Sequence, residues 1–294
     1  MTSSEVKTRG KSAVPGWGRR SFTAMRHLYI RPTAALGTSI FMLFMLMAVF
    51  GPWLAPYGFN EQIYSDARQA PSADHLFGTD NLGRDVFSRV LYGAREVLAQ
   101  AGLGTILAVV LGTILGLLTG YKGGWFDEAT MRLFDSLLAL PALLLALLLL
   151  GTVGKSQNAV LIVIIIVYTP IVARVGRSVV LSVRSKGFVE AAKLQGEGQF
   201  RILFREILPS VLPALTVEGA LRFSYAIFLV ASLGFLGVGV QPPSPNWGLM
   251  VSEARPYATL LPWTMFFPAA AIALLVIGVN LMADGIKRVL QTAG

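Results

Sequence analysis

Side chains able to make or break bonds are few and scattered in this chain. It has no cysteine and only two histidines, His27 and His75. Thiolate chemistry and disulfides are therefore absent, and a His- or Cys-type metal centre is not expected. No Ser/His/Asp set or paired carboxylates suggest a catalytic centre. The run Gly151–Ser156, G-T-V-G-K-S, ends like a phosphate-binding loop. That loop also needs a glycine at position 149, where Leu149 stands, so the chain is not expected to hydrolyse ATP. What remains is charge set in apolar sequence: Asp135, Glu218 and Arg222. Such residues are costly in a bilayer and point to function by default. Asp135 follows Arg132 by three positions and Glu218 precedes Arg222 by four, so each acid can pair on its own helix face. The Glu218–Arg222 pair has two readings. It neutralises itself and orders the helices, or it lines a passage and meets a zwitterionic solute.

The elements that must hold these charges are apolar helices. Of 294 residues 54% are hydrophobic and 14% charged, with mean hydropathy +0.63, against roughly 25% charged in a soluble domain. Crossing ~30 Å of hydrocarbon takes about 20 helical residues. Six stretches qualify: Ala34–Leu54, Val97–Gly120, Leu133–Val153, Asn158–Ala173 with an extension past Arg174, Leu212–Val238 and Pro262–Ala283. The expected class is all-α, a polytopic membrane protein with six transmembrane helices. The division expected is a basic tail over 1–31, a first helix over 32–56 and a loop with an interfacial helix over 57–96. A five-helix core over 97–288 and a short tail over 289–294 complete it.

Six spans place both termini on one side, and the basic residues say which. On one side fall Arg68, Arg84, Arg89, Arg95, Lys155 and Arg255. On the other fall the seven of the first tail, Lys122, Arg132, the seven from Arg174 to Arg205, Lys287 and Arg288. The richer side is cytosolic. Both termini and the stretch 174–211 are therefore expected in the cytosol. The net charge of +9 follows from this asymmetry rather than from a nucleic-acid partner.

Between the fourth and fifth spans lies Gly187–Pro213, a polar stretch containing Glu190-Ala191-Ala192, then Gly196 three residues on. The alanines make a small helical face that another protein can approach closely. The glycine supplies a turn with positive φ, and Pro209 and Pro213 suit the start of a new helix. In the second span Gly112, Gly116 and Gly120 recur every fourth residue, a face for close helix packing. After Asp85, Val86, Val90 and Leu91 recur at helical spacing, which predicts an interfacial helix before that span. Pro242, Pro243 and Pro245 keep the last outer connection from being helical throughout.

Together these stretches resemble one family. G-T-D-x-L-G-R-D-x-x-S-R (Gly78–Arg89), G-Y-x-G-G-W-x-D-x-x-x-M-R-x-x-D (Gly120–Asp135), Leu233–Gly248 and N-L-M-A-D-G (Asn280–Gly285) occur in order around the Glu-Ala-Ala loop. The pattern is similar to the second permease subunit of dipeptide, oligopeptide and nickel ATP-binding-cassette importers, and covers nearly all of 32–288. Gln195, where the family is usually apolar, and Gly198 depart from it. The resemblance implies a type I importer permease fold and a second homologous permease. It also implies two cytosolic ATPases, which bind ATP and Mg, and an extracytoplasmic solute-binding protein. On that basis Phe188 and Leu194 are expected to anchor the loop in an ATPase cleft. Glu190 makes the polar contact, Ala191 and Ala192 the close surface, and Gly196 the turn. Carriage of metal chelates or other small solutes stands as an alternative to peptides. An ion-driven carrier is a third reading, which would leave the large loop unexplained.

Overall fold

The computed structural model describes residues 32–292, so the basic tail over 1–31 lies outside the described residues. Among the described residues nine helices carry the fold: α1 Pro32–Leu54, α2 Val86–Lys122, α3 Gly124–Leu138, α4 Ala142–Val153, α5 Gln157–Val183, α6 Gly187–Leu194, α7 Gln199–Phe235, α8 Trp247–Ala254 and α9 Pro262–Thr292. No strand is built among the described residues beyond one isolated bridge, Thr79 to Asp85. Five of the helices are long and apolar enough to cross a membrane, and α3 with α4 make a sixth crossing if read as one broken span. The all-α polytopic class read from the sequence is the one found.

The helix expected to lie in the interface before the second span is instead the first part of α2. Asp85 caps it, accepting from the Ser88 N–H at 2.7 Å, and no residue before Gly123 breaks it. At 37 residues it is roughly 55 Å long, well beyond the hydrocarbon thickness. The third expected span, Leu133–Val153, is not straight. Pro141 has no N–H and disfavours helix in the residue before it, and α3 and α4 meet there at 95°. The fourth span does extend past Arg174, as far as Val183. The regular α-helical part of α7 begins at Leu208, with Pro209 in its first turn as expected and Pro213 inside it. Without the Pro209 N–H the preceding turn widens, and Leu208 N–H reaches back five residues to Leu203 O through a π segment over Ile202–Ile207.

Small residues set the closest helix approaches. A Cβ on Gly112 would sit 2.6 Å from Val172 Cβ, and one on Gly116 2.6 Å from Ala173 O, so this face of α2 packs backbone-close on α5. At the α8 end of α2, Trp247 is fully buried and donates to Val90 O at 3.0 Å. The same end holds a buried ionic group. Arg84 lies 2.6 Å from Asp80 and 3.0 Å from Glu253, and Arg89 lies 3.2 Å from each. This group ties the loop before α2 to α8. A second, smaller core surrounds α6 at the other end of α2, formed by Leu117, Val180, Val183, Val189, Ile202, Leu203 and Ile207.

Candidate functional site

Helix α6 is a short amphipathic element seated on α7. Val189 and Ala192, three residues apart, turn inward onto Ile202, Leu203 and Ile207. Phe188, Glu190, Ala191 and Leu194 face outward; Leu194 is 90% exposed and Phe188 41%. Ala192, expected beside Ala191 on the close-approach surface, is therefore corrected to a core position. The rotation of this eight-residue helix is fixed by Val189, which is wholly buried, and one turn on the same face brings Ala192 down as well. The Glu190 carboxylate has no ion-pair or hydrogen-bond partner among the described residues. Phe200 and Phe204, 73% and 49% exposed, add apolar surface near α6 that sequence reasoning missed. The visible signal was two phenylalanines four apart in an otherwise charged stretch.

The end of α6 is closed as a Schellman motif. Gly196 takes φ +76°, its N–H donates to Lys193 O at 3.0 Å, and Glu197 N–H donates to Ala192 O at 3.1 Å. Gln195 continues the helical turn and Gly198 is extended, so neither departure from the family pattern distorts the site. Lys193 Nζ lies 5.5 Å from the Tyr121 ring centroid, which ties α6 to the end of α2. At the start of the loop, Arg184 Nη1 donates to Gly120 O at 3.0 Å.

About five turns along α7, Arg222 Nε lies 2.8 Å from Glu218 Oε1, with side chains 15% and 13% exposed. The two atoms are not aligned for a hydrogen bond and neither has another partner among the described residues. The Arg222 guanidinium carbon lies 4.8 Å from the Tyr225 ring centroid and 5.8 Å from that of Tyr168. The pair is thus formed, partly buried, flanked by aromatic rings and left with unused hydrogen-bonding capacity. The Arg132–Asp135 pairing expected from their spacing does not form. Arg132 binds Glu128 at 2.6 Å, and Asp135 binds Arg174 on α5. Among the described residues no group of three His, Asp or Glu is arranged to hold a metal ion.

The described residues thus form a bundle of apolar helices with a short, partly apolar helix displayed at one end, and sequence comparison gives its family. Residues 112–293 match the model of the binding-protein-dependent transport system inner membrane component family, and 22–71 match the N-terminal TM domain of oligopeptide transport permease C. The chain belongs to the binding-protein-dependent transport system inner membrane component family. It is 42% identical over 268 residues, 91% of this chain and 88% of the other, to the dipeptide transport system permease protein DppC of Alkalihalophilus pseudofirmus. It is 40% identical to the di/tripeptide permease protein DppC of Pseudomonas aeruginosa, over 87% of both chains. Against the glutathione transport system permease protein GsiD of Pectobacterium atrosepticum it is 36% identical, over 90% of this chain and 88% of that one. It is a multi-pass inner-membrane transport subunit.

Proposed function

We propose that this chain is one of two homologous permeases that form the translocation pathway of an ATP-driven peptide importer. A solute-binding protein delivers di- or oligopeptides on the outer face. Two cytosolic ATPase subunits, which bind ATP and Mg, drive the change of access. The relatives' names, dipeptide, di/tripeptide and glutathione permeases, support a short peptide as cargo. The distribution of basic residues supports α6 facing the cytosol with both termini.

The observation that carries the proposal is the shape of α6. One face, Val189 and Ala192, is locked into the protein, while Phe188, Ala191 and Leu194 stand free. A helix anchored on one side and apolar on the other is a handle: a partner groove can take it by helix-in-groove contact. Glu190 then supplies a charge-assisted contact, its side chain having no competing partner among the described residues. Closure of the two ATPases on ATP moves α6 as a rigid body, and α5 and α7 carry the motion into the bundle. Glu218 and Arg222, with their unused hydrogen-bonding capacity, are assigned to the pathway wall. There each can meet one end of a zwitterionic peptide.

Copurification tests this reading. The chain is expressed with its cognate ATPases and second permease, and the complex is isolated through a tag on this chain. The ATPases are retained with the native sequence and lost with Leu194→Asp, while membrane insertion is unchanged. Retention at native levels in that variant would remove α6 as the docking element.

A further inference from the structure

The stretch Gly120–Asp135 touches the docking loop through Gly120 O and the Tyr121 ring, and both of its aspartates have partners on one other helix. Asp127 receives a forked bond from Arg177, Nε to Oδ1 and Nη2 to Oδ2, each 2.6 Å. Asp135 pairs with Arg174. The two arginines lie three residues apart on α5, on neighbouring turns. Arg132 takes no part, because it is held by Glu128 within α3.

Little else fixes α3. Of its 15 residues only Asp127 and Phe134 are buried. At one end it joins α2 through Gly123 and Gly124, both at positive φ, +64° and +65°, and a Cβ on Gly124 would meet nothing within 4 Å. At the other end it turns by 95° into α4. An element jointed at both ends, with little apolar packing of its own, takes its position from its polar contacts. Here those contacts all lead to α5. From Arg177, α5 continues for roughly 9 Å to Val183 and passes through three residues into α6.

We infer that Asp127 and Asp135 are positioning residues that transmit displacement of α6, through Arg177 and Arg174 of α5, into α3 and hence into α4. A forked acid–guanidinium contact fixes orientation as well as distance, so it carries rotation where an apolar contact would slip. Movement of α6 pulls α5, the two ion pairs pull α3, and the bend at Pro141 turns that into a tilt of α4. This rests on α6 being the ATPase-docking helix.

The test uses the complete importer in proteoliposomes with its binding protein and a radiolabelled peptide hydrolysate. Uptake and ATP hydrolysis are measured together. With Asp127→Asn or Arg177→Gln the complex assembles and hydrolyses ATP, while uptake per ATP falls at least tenfold. The exchanged pair, Asp127→Arg with Arg177→Asp, restores it to within about threefold, as an orientation-dependent contact requires. Charge reversal beside a membrane can block insertion, so a second variant keeps the test decisive. The chain has no cysteine, so Asp127→Cys with Arg177→Cys can be bridged by a short bis-maleimide. Bridging restores the coupling that the unbridged variant lacks. Unchanged uptake per ATP in both single variants overturns the inference, as does a bridged or exchanged complex that assembles and stays uncoupled. A native complex without ATP-driven uptake would remove the docking reading itself, before any variant is compared.

Discussion

Gly196 is the position where backbone conformation, not packing, decides what α6 can do. Its φ of +76° lies in the left-handed region, and nothing lies within 4 Å of where a Cβ would stand. Substitution there by an uncharged residue therefore acts through strain alone. Placing an L-residue in that conformation costs about 1–2 kcal/mol. The chain can escape by unwinding the last turn of α6, but that gives up the bonds to Lys193 O and Ala192 O, each worth about 1 kcal/mol net. Either route lowers the population of the closed helix end by about 5- to 30-fold. The order expected for ATP-driven peptide uptake is Gly, then Asn, which tolerates the left-handed region, then Ala, then Val. Gly196→Asp adds a negative charge at a helix C-terminus, a further cost of about 0.3–1 kcal/mol, and is expected to abolish uptake. All five proteins insert into the membrane in equal amounts, because the position buries nothing. The assay is initial uptake rate in cells, normalised to the membrane content of the chain. Native uptake by both the Ala and Val variants would refute the reasoning, since no route then remains by which the turn geometry matters.

Three other outcomes follow from the same structure. Val189→Ala removes two methylene-equivalents from a fully buried site and is expected to cost about 1.6 kcal/mol or more. It should lower the thermal midpoint of the purified chain, whereas Leu194→Ala, at 90% exposure, should leave the midpoint alone and weaken ATPase retention. Gly116→Val would drive a side chain into Ala173 O at 2.6 Å, a backbone atom that cannot step aside, so folded protein recovered in detergent should fall sharply; recovery equal to native would argue against close α2–α5 packing. Glu218→Gln leaves Arg222 without its counter-charge and is expected to suppress uptake with folding intact. Normal transport and normal ATPase coupling in that variant would remove the pair from the pathway.

What could be read directly from the sequence was local. The apolar runs gave the crossings, the fourfold glycine spacing in α2 gave a packing face, and Gly196 gave a turn, because each depends on residues within one or two turns of each other. The Glu218–Arg222 contact forms for the same reason. Features that depend on distant partners were not legible. Arg132 and Asp135 have the right spacing for each other, yet Glu128 and Arg174 compete for them and hold them, and Arg174 is 39 residues away from Asp135. Ala192 and Ala191 are chemically alike, and only the seat provided by Ile202, Leu203 and Ile207 decides which one faces out. The bend at Pro141 was present as a sequence signal. Apolar continuity on both sides of it masks the break within Leu133–Val153. The continuity of α2 was hidden by the opposite error, since a polar first third reads as a separate interfacial element when it is the part of a long helix packed against the ionic group at the α8 end.

Helix α6 is expected to face the cytosol and to be covered there by an ATPase. Because the native chain lacks cysteine, Leu194→Cys introduces a unique thiol at a position that is 90% exposed. A membrane-impermeant maleimide should label it in inside-out vesicles stripped of ATPase and leave it untouched in intact cells. Adding back the ATPase subunits should protect it. Labelling from outside intact cells would contradict the account.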